Sequence, residues 1–318
     1  MKKNIFFTII ILFILFAIIL DPKTYIQTTL NALNVWAMVL LPSLLPFFIF
    51  TKILTKLGTV KHIANIFSPI SVNIYKNSKM SAYAFFMSIL TGYPVGCKLV
   101  ADLYYCGDLT KNQAKKSLCF CSNSGPMFIL GSVGISMLFS KSSGYILLIS
   151  HILGALINGL FYRNLKPKDD KPYEISQKQN NTENIISSSV LDSITSILLV
   201  GGMIVLCFIC ITIIQNINLF SPICSFFEIF NIDKSITNSI LSGIFEITKG
   251  CLDVSNLSIS SDIKTIICSF LISFGGFSTI MQAMAFVKDI TSYKFMILQK
   301  TTHAIFSCAV CCLILLLI

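Results

Sequence analysis

Charge is what this sequence carries least of. Lys and Arg number 24 and Asp and Glu 14 in 318 residues, so charged side chains make up 12%. That is about half of the roughly 25% usual in a soluble domain. With 54% hydrophobic residues and a mean hydropathy of +0.80, the chain reads as a polytopic membrane protein in contact with a lipid bilayer. Its formal net charge of +10 is spread over short segments between apolar runs, where the positive-inside rule places it. It therefore does not point to nucleic acid. Histidine is scarce as well: His62, His151 and His303 are the whole set. The twelve cysteines thus lack the partners a metal centre would draw on. Cys207 and Cys210 are spaced C-x-x-C, and Cys308, Cys311 and Cys312 cluster. All five sit in apolar runs, where thiols act as small hydrophobes. No Walker-type loop, H-E-x-x-H or G-x-S-x-G is present. No cofactor, metal or enzymatic activity is expected, and an energy source would be an ion gradient, a substrate gradient or a partner protein.

What is abundant is apolar sequence. Runs fall near 5–20, 30–50, 80–101, 117–139, 143–162, 190–214, 236–252, 265–287 and 295–318, against the roughly 20 residues a full span needs. The opening MKKNIFFTIIILFILFAIILDPK has the basic start and apolar core of a signal peptide. Asp21-Pro22 follows it without a small-x-small cleavage site, so a retained first helix is expected. The stretch 163–188 is the one long polar segment and reads as a flexible linker between two halves.

Those halves resemble each other. NIFSPI at 65–70 recurs as NLFSPI at 218–223. SILTGYPVGCKLVADL at 88–103 aligns with SGIFEITKGCLDVSNL at 242–257, pairing Ser88 with Ser242 and Gly96-Cys97 with Gly250-Cys251. CSNSGPM at 121–127 lies opposite ISFGGFS at 272–278. Three matches in order, at nearly constant offset, argue for an internal duplication. Charge gives the topology. Lys2 and Lys3 place the N-terminus in the cytoplasm. Both 51–79 (Lys52, Lys56, Lys61, Lys76, Lys79) and 111–116 (Lys111, Lys115, Lys116) then call for the same side. For both to lie inside, 80–105 must enter and leave by one face, as a re-entrant hairpin with Gly92-Tyr93-Pro94 near its tip. The first half then crosses three times, and the odd count inverts the second half, whose hairpin lies near 236–257.

The candidate site residues are the polar groups at the breaks. Ser122, Asn123 and Ser124, followed by Gly125-Pro126, interrupt an apolar run. Asn or Ser there is expected to cap the half-helix that follows, whose N–H groups and dipole suit an anion. The alternative is a Pro kink lined by small residues for packing. The equivalent break offers Gly275, Gly276, Ser278 and Gln282, with the same alternative. Tyr93 and Lys98 stand out in the first hairpin. Lys98 either meets an anion or snorkels to the interface, and Asp102, four residues on, can pair with it. In the second, Glu246, Thr248 and Lys249 interrupt an apolar run. They serve an ion, a proton or a substrate, or form an internal Glu–Lys pair.

LLPSLLPFFIF (40–50), LTGYPVGCKLVADLYYCGDLT (90–110), CSNSGPMFILGSVG (121–134), SGIFEITKGC (242–251) and FGGFSTIMQ (274–282) together resemble the YlbJ/SpoVV family of sporulation integral membrane proteins, part of the wider group with the nucleoside-recognition or Gate domain. The resemblance covers nearly the whole chain after the first helix. The family's S-G-Y-P-x-G-A-K motif reads T-G-Y-P-V-G-C-K here, with Thr91 and Cys97 as small substitutions. The resemblance implies a membrane around the forespore and movement of dipicolinic acid toward the spore. It also implies kinship with concentrative nucleoside carriers.

The expected architecture is an all-α polytopic membrane protein with two inverted-topology repeats and re-entrant helical hairpins. Its parts would be a transmembrane anchor (1–29), a first Gate-like repeat (30–162), a polar cytoplasmic linker (163–188) and a second, inverted repeat (189–318). Ser122, Asn123, Ser124 and Gly125 would bind carboxylate from one side, with Gly275, Gly276, Ser278 and Gln282 opposite and Tyr93 at the hairpin tip. Lys98 would offset charge, and Glu246, Thr248 and Lys249 would couple ions or gate. A neutral solute such as a nucleoside would rely instead on Asn123, Gln282 and Glu246. A third reading is a non-transporting component of a sporulation complex, partnered by its own copies or by other sporulation membrane proteins.

Overall fold

Nonpolar side chains face outward over much of this protein. Ile9, Leu12, Phe16, Leu198 and Leu316 are exposed, while Ser88, Ser117, Asn158, Gln299 and Lys300 are buried. That distribution suits a molecule surrounded by lipid, which solvates apolar groups and leaves polar ones to find partners inside. The computed structural model describes residues 2–57, 65–66, 68–165 and 184–318. Most of the segment expected to be a linker, and Lys61 of the basic 51–79 stretch, lie outside the described residues. The described residues are helical throughout, with no strand.

Helix α1 (Lys2–Leu20) ends at Asp21, whose side chain caps α2 (Pro22–Val35) by accepting from the Thr24 backbone N–H at 3.3 Å. Pro22 at the first helical position suits this start, and the chain bends by 105° between the two helices. The first helical boundary is therefore at Asp21. Helix α2 runs through a π-helical turn at Trp36–Leu40 into α3 (Leu41–Lys56).

After a second π-helical turn, Ile70–Ile74, the chain forms α4 (Lys79–Thr91) and α5 (Val95–Tyr105). A capping box, Thr110 with Gln113, starts α6 (Lys111–Cys121). This is followed by α7 (Met127–Met137), which is π-helical, and α8 (Lys141–Phe161). The remainder is α9 (Ile185–Asn216), α10 (Ser221–Glu228), α11 (Lys234–Phe245), α12 (Ile247–Ser255), α13 (Ser261–Phe274), α14 (Gly276–Val287) and α15 (Tyr293–Leu317). Four stretches among the described residues are long and apolar enough to cross a membrane: α8, α9, the combined α13–α14 (Ser261–Val287) and α15. Counting the bent α1–α2 pair as one span brings the number to five. Together with the lipid-suited surface, this makes the chain an integral membrane protein.

The runs 80–101 and 236–252 fold back on themselves. A Cβ placed on Gly96 of α5 would stand 3.2 Å from the Ser88 Cα of α4. In a continuous helix, residues eight apart are about 12 Å apart. Gly250 of α12 likewise lies against the backbone of Gly243 in α11, its added Cβ 2.7 Å from the Gly243 N. Each run is thus a helical hairpin. Corresponding hydrogen bonds recur in the two. Gly92 N donates to Ser88 O (2.9 Å) and Glu246 N to Ser242 O (2.8 Å). Gly96 N donates to Gly92 O (3.2 Å) and Gly250 N to Glu246 O (3.1 Å). The order hairpin, broken helix, long helix occurs twice, as α4–α5, α6/α7, α8 and as α11–α12, α13/α14, α15. Helix α15 packs along α8 and α13, joining the two series.

The Gly243–Gly250 approach yields a prediction. Gly250→Ala pushes a methyl into backbone that has no side chain to yield, and should cost about 1–3 kcal/mol. Gly202→Ala, where an added Cβ meets nothing within 4 Å, should be neutral or stabilising by about 0.5–1 kcal/mol. Thermal unfolding in detergent should place Gly250→Ala below the parent and Gly202→Ala at or above it.

Candidate functional site

Two hairpin tips and two helix breaks meet at one place. Gly92, at the tip of the first hairpin, has φ +73°, which glycine adopts without strain. A Cβ there would stand 2.5 Å from Gly125 N and 2.9 Å from Gly125 Cα. Backbone therefore lies directly on backbone where the tip meets the α6–α7 break. On the other side, Gly275 ends α13 with φ +84°. Its added Cβ would come within 3.3 Å of the Tyr93 ring and hydroxyl. Gly276 faces the second tip, with an added Cβ 3.1 Å from Gly243 O and 3.2 Å from Ile247 N.

The four elements border a cavity of about 50 Å³. Of the residues singled out in the sequence, Tyr93, Ser124, Gly125, Glu246, Thr248, Ser278 and Gln282 line it. Thr91 and Thr279 add hydroxyls, and Leu40, Phe128, Val200 and Ile204 supply apolar wall. Gln282 Nε2 donates to Ser278 Oγ at 3.3 Å. The Glu246 carboxylate accepts from the Lys249 backbone N–H at 2.7 Å, capping α12. A carboxylate at a helix N-terminus is stabilised by its N–H groups and dipole, so this charge is already partly met. The N-termini of α7 and α14 carry no side-chain cap. The expected capping by Asn or Ser before Pro126 is absent: Asn123 turns its Nδ2 toward Ser88 and Phe120, and no side chain caps α7.

Other singled-out residues lie off the cavity. Asn123 Nδ2 donates to Ser88 Oγ (2.9 Å) and Phe120 O (2.7 Å), binding the α6–α7 break to the first hairpin. The Ser122 carbonyl accepts from Lys300 at 2.9 Å. Gly275 and Gly276 act as contact points between elements, as described above. The Lys249 ammonium pairs with Asp253, four residues on, and not with the Glu246 carboxylate. Lys98 lines a separate pocket of about 120 Å³ with Lys52, Lys56, Asp102 and Asp192. Among the described residues Lys56 bridges to Asp192 at 3.0 Å, whereas Lys98 and Asp102 form no ion pair. Thr91 lines both pockets.

Reading the sequence missed a buried polar group behind Tyr93. Lys300, 1% exposed, donates to the Tyr93 hydroxyl and the Ser122 carbonyl, and lies over the Tyr93 ring, 4.5 Å from its centroid. His151 and His303 are each 1% exposed, with ring centroids 4.8 Å apart. His151 accepts from the Ser124 backbone N–H at 2.9 Å and meets Ser273 Oγ at 2.8 Å. The signal was present: Lys300 and His303, three apart, stand in an apolar run where ionisable residues mark function.

This architecture is that of a known class of membrane domain. Two solved structures of CNTnw, one in an intermediate 1 state and one in an inward-facing substrate-bound state, superpose with TM-scores of 0.59 and 0.53. Both cover 98% of this chain and 85% and 84% of theirs, at 13% and 12% identity. At that identity the likeness is one of fold. No protein-family model matches the chain. Along the sequence, the chain is 28% identical over 303 residues to the sporulation integral membrane protein YlbJ of Bacillus subtilis (strain 168), covering 87% of this chain and 74% of that protein. This supports assignment of the chain to the YlbJ family.

The Lys300 contacts give a stability prediction. Tyr93→Phe leaves a buried amine one partner short and should cost about 1–3 kcal/mol. Adding Lys300→Met removes the stranded amine and should recover part of that loss, because apolar replacement of both partners is often nearly neutral. A double-mutant cycle by thermal unfolding measures the coupling; additive losses would show that the two side chains act separately.

Proposed function

We propose that the chain is a transporter that carries a small anionic solute across the membrane, with dipicolinic acid, moved toward the forespore, as the candidate that the family resemblance implies. The observation that carries the transport reading is the convergence of two hairpin tips and two helix breaks on one small cavity. Broken helices around a central site are the usual construction of secondary transporters, and one bundle rocking against the other exposes that site to each side in turn. Two hairpins entering from opposite faces, as the charge pattern suggests, fit that motion. The sporulation relative and the fold shared with CNT nucleoside transporters support a transport-related role.

The preference for an anion has three supports. The α7 and α14 N-termini are uncapped beside the cavity. Lys300 stands behind Tyr93. The neighbouring pocket, with Lys52, Lys56 and Lys98 against two aspartates, adjoins the cavity at Thr91. A second reading, a nucleoside as solute, is favoured by a different observation. Lys98 is off the cavity, while Glu246, Gln282, Ser278 and Thr248 line it with hydrogen-bonding groups suited to a neutral ligand.

Counterflow in proteoliposomes separates the two. Vesicles loaded with dipicolinate should take up labelled dipicolinate, and Gln282→Ala or Ser278→Ala should weaken apparent affinity by about tenfold, the value of one hydrogen bond to a charged group. Exchange of labelled uridine without dipicolinate would replace the anion reading by the nucleoside one. Exchange of neither solute, with correctly folded protein, would end the transport reading and leave a structural role in a sporulation complex.

A further inference from the structure

We infer that His151 is a proton-binding site whose protonation moves the Ser124 segment, and that this motion couples proton movement to solute movement. The functional half of this inference rests on the transport reading above. The proton switch itself rests on hydrogen-bond chemistry.

A backbone N–H can only donate. The Ser124 N–H points at His151 Nε2 from 2.9 Å, so Nε2 is the acceptor and carries no proton. A neutral imidazole holds its single proton on the other nitrogen. Nδ1–H therefore donates to Ser273 Oγ at 2.8 Å. One ring is thereby clamped between the two broken helices. Ser124 belongs to the α6–α7 break, and Ser273 stands two residues before Gly275, where α13 ends. All three residues are buried.

A proton arriving at Nε2 forms a new N–H bond in the direction from which the Ser124 N–H already points. Two donors then face each other and the hydrogen bond is lost, so the ring or the segment must move. Ser124 and Gly125 line the cavity, and Gly125 N is the seat of the Gly92 tip. Protonation thus displaces the cavity wall and the support of the first hairpin together. Loss of the proton restores the lone pair and the original contact, so one proton bound is one proton released.

The titratable groups that face His151 are Lys300 and His303, both on α15. The α13 side presents Ser273 and the α6–α7 break presents Ser124, and no carboxylate among the described residues lies against the ring. His303 Nε2 donates to the His151 carbonyl at 3.1 Å, since a carbonyl can only accept. An anion in the adjoining cavity attracts the imidazolium, so proton and solute favour each other's binding.

His151→Gln provides the test, because its amide oxygen can accept from Ser124 but cannot take up a proton. In proteoliposomes, labelled dipicolinate is followed by counterflow without a gradient and by accumulation under an inward proton gradient. The parent should show gradient-driven accumulation several-fold above its ungraded level, and in His151→Gln the ratio of accumulation to counterflow should fall to that without a gradient. A variant ratio equal to the parent's, or parent counterflow without any response to the gradient, overturns the inference while leaving transport intact. A second arm needs no solute. In protein with 15N-labelled histidine and serine, His151 Nε2 should resonate as unprotonated nitrogen at about pH 8. The Ser124 amide should shift in step with its protonation as the pH falls toward about 5. If the parent exchanges neither dipicolinate nor uridine, the transport reading fails and this arm decides the switch alone. A ring that already carries Nε2–H, one that stays neutral throughout, or a Ser124 amide indifferent to it overturns the proposal.

Discussion

Backbone that leaves a helix inside a membrane must find cover, because lipid offers nothing to hydrogen-bond with. Every unusual feature of this protein answers to that constraint. The two hairpin tips and the two helix breaks expose N–H and C=O groups at one place, and each covers another. Gly92 lies on Gly125, Gly275 on Tyr93, and Gly276 on the turn of the second hairpin. The contacts are backbone against backbone or backbone against ring. The interrupted helices could not be placed singly, and their mutual cover is what leaves a cavity between them.

The buried side chains extend the same logic. His151 takes the Ser124 N–H, Lys300 supplies the Ser122 carbonyl, and Glu246 takes the Lys249 N–H. Each is an ionisable group used to satisfy main chain that a helix would otherwise have satisfied. Ionisable residues are costly here, and their presence follows from the breaks. Because they serve as backbone partners, a change in their charge is also a change in the geometry of the breaks.

The breaks themselves were legible in the sequence, since Gly-Tyr-Pro, Ser-Asn-Ser-Gly-Pro and Gly-Gly have no place in an uninterrupted span. So was Glu246, a lone acid in an apolar run. Seven of the residues chosen on those grounds line one cavity. The facing of Lys98 was not legible. It lies on α5 just beyond the tip, and helical rotation turns it toward Lys52 and Asp192, on elements distant in sequence. Asn123 was read correctly as polar at a break but binds Ser88, a partner that only the folding back of α4 and α5 brings near. His151 and His303 are separated by 152 positions, and no local pattern announces their tilted ring contact. Local rules report where a helix stops, whereas tertiary contact decides which side chain faces the gap.

The cavity between the breaks has a consequence for the membrane as a barrier. At about 50 Å³ it has room for a few waters. A space of that size is a constriction, and it limits how much water the membrane interior must accommodate around the exposed main chain of the breaks.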